Sequence, residues 1–62
     1  MMFDDTQLLD WMIFSGACVC HDKDGGFCWV EYSDKDGWYK TDNYDNARDA
    51  IANAKMGNVN EL

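Results

Sequence analysis

The chain has 62 residues, 12 of them acidic and 5 basic, for a formal charge of -7 with 47% apolar content. That apolar share is too high for a disordered tail, and the absence of proline excludes a Pro-rich linker or polyproline ligand. Phosphate repulsion disfavours nucleic acid and anionic membranes as direct ligands. A basic protein surface is the natural complement, and solubility alone is the plainer reading of the charge.

No apolar run approaches the ~20 residues of a membrane span. The start, Met1-Met2-Phe3-Asp4-Asp5, is acidic where a secretory signal would be basic. Three cysteines cannot all pair within one chain, so a reducing cytoplasm is the expected setting. A chain this short forms one domain, 1–62, and buries only about 60% of the surface its unfolded form exposes. Nine aromatic residues compensate by supplying large contact areas.

Asp4, Asp5 and Thr6 offer capping side chains and negative charge at a helix start. Leu8, Leu9, Trp11, Met12 and Ser15 follow at helical spacing, and Ile13 and Phe14 widen the stripe. The spacing predicts a helix over 5–15, closed by Gly16, with burial on more than one side. Strands are expected at 17–21, 27–33 and 38–41. Between them the same four residues occur twice, Asp22-Lys23-Asp24-Gly25 and Asp34-Lys35-Asp36-Gly37. Each suits a type I turn followed by a positive-φ glycine, so the segment reads as a three-stranded antiparallel meander with two like turns.

Four-residue loops would set Ala17 against Val30, Val19 against Cys28, Val30 against Thr41 and Tyr32 against Tyr39. The opposite face would carry Cys18 with Trp29, Cys20 with Phe27, and Glu31 with Lys40. The charged pair points that second face to water. A second helix is expected over 43–56, capped by Asp42 or Asn43 and ended by Gly57, with Ala47, Ala50, Ile51 and Ala54 as its apolar stripe. The tail 58–62 is expected to fray. The fold class is therefore α+β in the order α-β-β-β-α, with both helices on one face of the sheet.

Candidate chemistry is sparse. Cys18, Cys20, His21 and Cys28 suffice for zinc by count, but strand alternation puts Cys18 and Cys20 on one face and His21 and Cys28 on the other. Buried structural thiols are the expected reading, with no metal and no cofactor. Asp22, Asp24, Gly25 and Glu31 fit positions three, five, six and twelve of a calcium loop, yet Cys20 would fill position one. In the second repeat Tyr32 and Asn43 would fill positions one and twelve, so turns are the better reading. His21 has no nucleophile motif near it, and Gly25-Gly26 is a turn rather than a phosphate loop. No enzymatic activity is expected.

The acidic pattern is more informative. Asp42, Asp45 and Asp49 would follow the face of the second helix opposite its alanines, ~5–6 Å apart, near the spacing of successive phosphates. Asp22, Asp24, Asp34 and Asp36 add charge at the turns, and together these side chains could form an anionic track or simply a solvated surface. On the outer sheet face, Phe27, Trp29 and Trp38 would stand beside Glu31 and Lys40, an aromatic cluster with a charged rim. One helix on each face would instead bury them.

In length, acidity and lack of catalytic motifs the chain resembles the small acidic anti-defence proteins encoded by bacteriophages, of the anti-CRISPR and anti-restriction type. That resemblance implies an inhibitor working in the bacterial host cytoplasm, with Asp42, Asp45, Asp49 and the turn aspartates in place of phosphates. Its partner would be a host nucleic-acid-binding protein or complex with a basic groove. The element order also resembles the double-stranded-RNA-binding domain, but those domains open their second helix with basic residues, where this chain has Asp42 and Asp45. The alternative is a small accessory subunit or homodimer that buries its outer aromatic face.

Overall fold

A computed structural model describes residues 3–62. The architecture is α+β: helix α1 (Asp5–Ser15), strands β1 (Cys18–His21), β2 (Cys28–Asp34) and β3 (Gly37–Lys40), helix α2 (Ala47–Lys55) and a short strand β4 (Asn60–Glu61). The four strands form one antiparallel sheet in the order β1-β2-β3-β4.

Helix α1 begins with a capping box. The Gln7 amide donates to the Asp4 carboxylate at 2.8 Å, and the Asp4 amide donates to the Gln7 side chain at 3.0 Å. Gly16 closes the helix at φ 70°, a conformation that costs a glycine little, and its N–H donates to the Met12 carbonyl. Only one side of α1 is buried. Leu8 is enclosed and Trp11, Met12 and Ser15 are half-buried, whereas Leu9, Ile13 and Phe14 stand in solvent. The expectation of burial on several sides is thus corrected: no second layer lies over this helix among the described residues.

The core lies between the sheet and α2. Val30, Ala50 and Ala54 are buried together, with Trp11, Met12, Cys28, Tyr32, Ile51 and Val59 packed around them. Alanines at the contact let the helix approach the sheet closely. Trp11 meets Tyr32 edge-on at 5.4 Å, and Tyr32 stacks on Tyr39 at 5.5 Å. The molecule is flat, 32 × 27 × 16 Å, as suits one helical layer on one sheet face.

The register of β2 with β3 is the expected one, with Tyr32 opposite Tyr39 and Glu31 opposite Lys40. That of β1 with β2 differs by two residues: Val19 faces Val30, Cys18 faces Glu31 and Cys20 faces Trp29. A two-residue shift preserves the faces, because side chains alternate with period two. Its cause is the first hairpin loop. The Asp22 amide donates to the Phe27 carbonyl, and Gly26 rather than Gly25 takes positive φ, at 73°. In the second hairpin Gly37 takes that role, at φ 142°. The identical tetrapeptides therefore share an Asx turn, Asp24 N–H to Asp22 and Asp36 N–H to Asp34 at 2.8 and 2.7 Å, but not a loop length.

After β3 the chain does not enter the second helix at once. The Thr41 N–H donates to the Val30 carbonyl at 3.0 Å, and the Val30 N–H turns to the Thr41 hydroxyl at 2.9 Å. Three residues on, Tyr44 and Cys28 exchange both backbone hydrogen bonds at 2.7 Å. Asp42 and Asn43 thus oppose Trp29 alone, a bulge that keeps this stretch in the sheet. For that reason α2 starts at Ala47 with Asn46 as its cap, not at 43 with Asp42 or Asn43.

The tail is also ordered by pairing rather than frayed. Gly57 at φ 86° ends α2, with the Gly57 and Asn58 amides donating to the Ala54 and Asn53 carbonyls. This turn delivers Asn60–Glu61 to the free edge of β3, and the Leu62 N–H reaches the Trp38 carbonyl at 2.9 Å.

Candidate functional site: two carboxylate poles on an open sheet

In a meander, successive turns lie at opposite ends of the middle strand. Asp22 and Asp24 therefore sit at one end of β2 and Asp34 and Asp36 at the other, about 20 Å away for a seven-residue strand. The bridge from Cys28 to Tyr44 brings the segment carrying Asp42 and Asp45 alongside the first loop. Phe27, 43% exposed, belongs to the same end. The second pole gathers Asp34, Asp36 and Glu61 around Tyr39. Partial burial and the charges of these three carboxylates push the Tyr39 phenol above its usual pKa. Trp38, 57% exposed, stands next to that turn.

The continuous track along the second helix does not form. Asp42 and Asp45 precede α2, and Asp42 accepts from the Asn60 side chain at 3.0 Å. Asp49 is drawn into the helix cap, its amide donating to Asn46 at 2.9 Å and its carboxylate accepting from the Asn46 side chain. Asp45 thus follows Tyr44 at the first-loop end of the sheet, the Asp42 carboxylate turns to Asn60 on the β4 edge, and Asp49 stands apart. Glu61 escaped sequence reasoning because a frayed tail cannot be placed. The segment Asn58-Val59-Asn60-Glu61-Leu62 has no strict apolar–polar alternation, so it carries no local strand signal.

Between the poles lies the sheet face opposite Val30, carrying Cys18, Cys20, Trp29, Glu31, Ser33, Trp38 and Lys40. Both helices pack on the other face. Trp29 is satisfied within the chain: its indole N–H donates to Glu31 at 2.7 Å, and the Lys40 ammonium lies 5.0 Å from the ring centroid. On this face Phe27 and Trp38 are the aromatics left most open, one beside each pole.

The cysteines are free and less enclosed than expected: Cys18 is exposed, while Cys20 and Cys28 are half-buried. Desolvation, then the Glu31 carboxylate, raise the Cys20 thiol above its usual pKa, which keeps it protonated. Among the described residues, no three of His, Cys, Asp or Glu converge closely enough to hold a metal ion. No helix among them is long and apolar enough to cross a membrane.

The carboxylates with perturbed acidity are shifted downward. A bidentate Arg48, at 2.8 and 3.0 Å, holds Asp5 below the usual range, and backbone amides of the Asx turn do the same for Asp22. Groups of this kind stay charged rather than exchange protons near neutrality. Because both folded values lie below the unfolded ones, the stability they add is present above about pH 3.9 and is lost as pH falls through the folded values. Asp5→Asn and Asp22→Ala are each expected to flatten the acid limb of an unfolding curve below pH 4.

Asp5–Arg48 is the one ion pair among the described residues, and both side chains are exposed. The remaining acidic charge is left to solvent and self-repulsion. Salt is therefore expected to raise the melting temperature as the screening length shrinks from about 30 Å at 0.01 M to about 3 Å at 1 M. A melting temperature that falls or stays constant in sodium chloride would contradict this distribution of charge.

Comparison with protein-family models, with curated proteins and with solved structures finds no match to this chain.

Proposed function

We propose that the protein is a non-catalytic inhibitor that occupies a basic, nucleic-acid-binding surface of another protein. The observation that carries this reading is the pair of carboxylate poles at the two ends of β2, with an open sheet face between them. Each pole presents several carboxylates and one exposed aromatic ring. Lysine and arginine side chains that grip successive phosphates would find charge of the same sign, and Phe27 and Trp38 would meet surfaces that accept bases. The downward-shifted acidity of Asp22, in the first pole, suits fixed charge better than proton transfer.

The setting that goes with this reading is a bacterial host cytoplasm, and the partner a host defence protein that binds nucleic acid. The test is affinity capture from a nuclease-treated bacterial lysate on immobilised protein, followed by two separate elutions. Release of the same nucleic-acid-binding protein by rising salt and by added duplex is the expected result. Retention that responds to neither overturns the reading.

A further inference from the structure

Helix α1 carries the largest departure from ordinary surface composition among the described residues. Leu9 is 60% exposed, Ile13 73% and Phe14 90%, on a helix of only 11 residues. Scattered apolar residues are normal on a surface, but these are not scattered. Leu9 and Ile13 stack one turn apart, and Phe14 follows Asp10 at the same spacing in the adjoining row. The stripe continues into two open grooves. One, of about 360 Å³, is lined by Leu8, Leu9, Met12 and Ile51 beneath the Asp5–Arg48 pair. The other, of about 400 Å³, runs from Trp11 and Phe14 to Asp34 at the second pole.

We propose that this stripe is a docking helix that seats in an apolar groove, rimmed by lysine or arginine, on a partner protein. The inference rests on the reading of a basic partner and adds the surface that anchors it. Charge selects this occupant. Every charged side chain on α1 is acidic, namely Asp5 and Asp10, and Asp4 caps it. The stripe and its grooves hold two cations against these acids: Arg48, bound to Asp5, and Lys55, which lines the second groove with Phe14 and lies over the Phe3 ring at 5.2 Å, so Asp4, Asp10 and Asp34 leave the balance negative. Asp34 closes the far end of the stripe.

A second copy fits poorly. Packing two such stripes about a two-fold axis would bring the Asp10 carboxylates of both copies into one interface between bodies of charge -7. An apolar groove with a cationic rim instead covers the leucine, isoleucine and phenylalanine and pairs Asp10 at its edge, the helix-in-groove mode of recognition.

The test uses the full chain and three synthetic peptides: an amphipathic leucine–lysine helix, a lysine-only peptide of equal charge, and a leucine–glutamate helix. Binding is read by titration calorimetry for wild type and for the Ile13→Ser/Phe14→Ser variant, whose changed side chains are solvent-exposed. Wild type is expected to prefer the leucine–lysine helix. The variant should lose that affinity by on the order of tenfold while binding the lysine-only peptide unchanged.

If wild type binds lysine-only and leucine–lysine peptides equally, the docking helix is wrong and the basic-partner reading survives. If it binds neither, both fail. Equal affinity for the leucine–glutamate helix overturns the cationic rim. A dimer in sedimentation that the variant dissolves overturns the choice of occupant, as does Phe14-dependent binding to phosphatidylcholine vesicles.

Discussion

Replacing Thr41 by valine is expected to lower the unfolding free energy by roughly 1–3 kcal/mol, measured by urea denaturation. Thr41 is almost fully buried, 1% exposed, and its hydroxyl makes two hydrogen bonds, accepting from the Val30 N–H and donating to the Asp42 carbonyl, both at 2.9 Å. Valine conserves the shape and removes both. The Val30 amide lies at the centre of the core and would be left without a partner. A domain of this length is held by roughly 3–9 kcal/mol in total, so the loss is a large share. Thr41→Ser, which retains the hydroxyl, should recover most of it. Equal stability of the valine and serine variants would show that the hydroxyl does not end the ladder at this point.

Ala50→Leu is expected to be at least as damaging, for a steric reason. Ala50 is fully buried and packs with Ala54 against Val30, where the closeness of α2 to the sheet leaves no room for a larger side chain. Forcing extra methylenes into such a contact costs about 1–3 kcal/mol and at times more. The helix would lift from β2 and disturb the Tyr44–Cys28 bridge that precedes it. Ala47→Leu, at a half-buried position in the first turn, is the control and should change stability far less. Similar melting temperatures for the two variants would contradict the placement of α2.

These two positions also mark where local patterns were readable and where they were not. The bounds of helix α1 were legible because Gly16 supplies a stop and Asp4, Asp5 and Thr6 crowd the start within three positions, where the capping box with Gln7 selects Asp4. The β2–β3 register was legible because Asp34–Gly37 has one glycine and hence one place for positive φ. The first loop has two adjacent glycines, and the choice of Gly26 over Gly25 moved the register of β1 by two. The start of α2 was obscured because Asp42, Asn43, Asp45 and Asn46, within five positions, are all residue types that cap, and the first two were the expected ones. Only the long-range bond between Tyr44 and Cys28 selects the last of them.

The candidate site suffered the same ambiguity. A helix beginning at 43 would have aligned Asp42, Asp45 and Asp49 on one face. The bulge instead holds the first two ahead of the helix, with Asp42 bonded to Asn60, and leaves Asp49 to pair with its cap. The helical alignment was lost, and aspartates from two chain segments at one end of the sheet took its place. Exposure of Leu9, Ile13 and Phe14 was equally out of reach, since apolar periodicity shows that a helix can bury several faces but not how many layers exist to cover them.

The proposed role of the poles is to stand as charge in the place of phosphates. Its most direct test is the salt dependence of binding to the protein recovered from the lysate. Wild type would be compared with a variant carrying Asp22→Asn, Asp24→Asn, Asp42→Asn and Asp45→Asn. The variant is expected to remain folded, to bind on the order of tenfold more weakly at low salt, and to show a shallower dependence of affinity on salt. Identical affinity and slope for the two proteins would show that the carboxylates at that pole take no part in recognition.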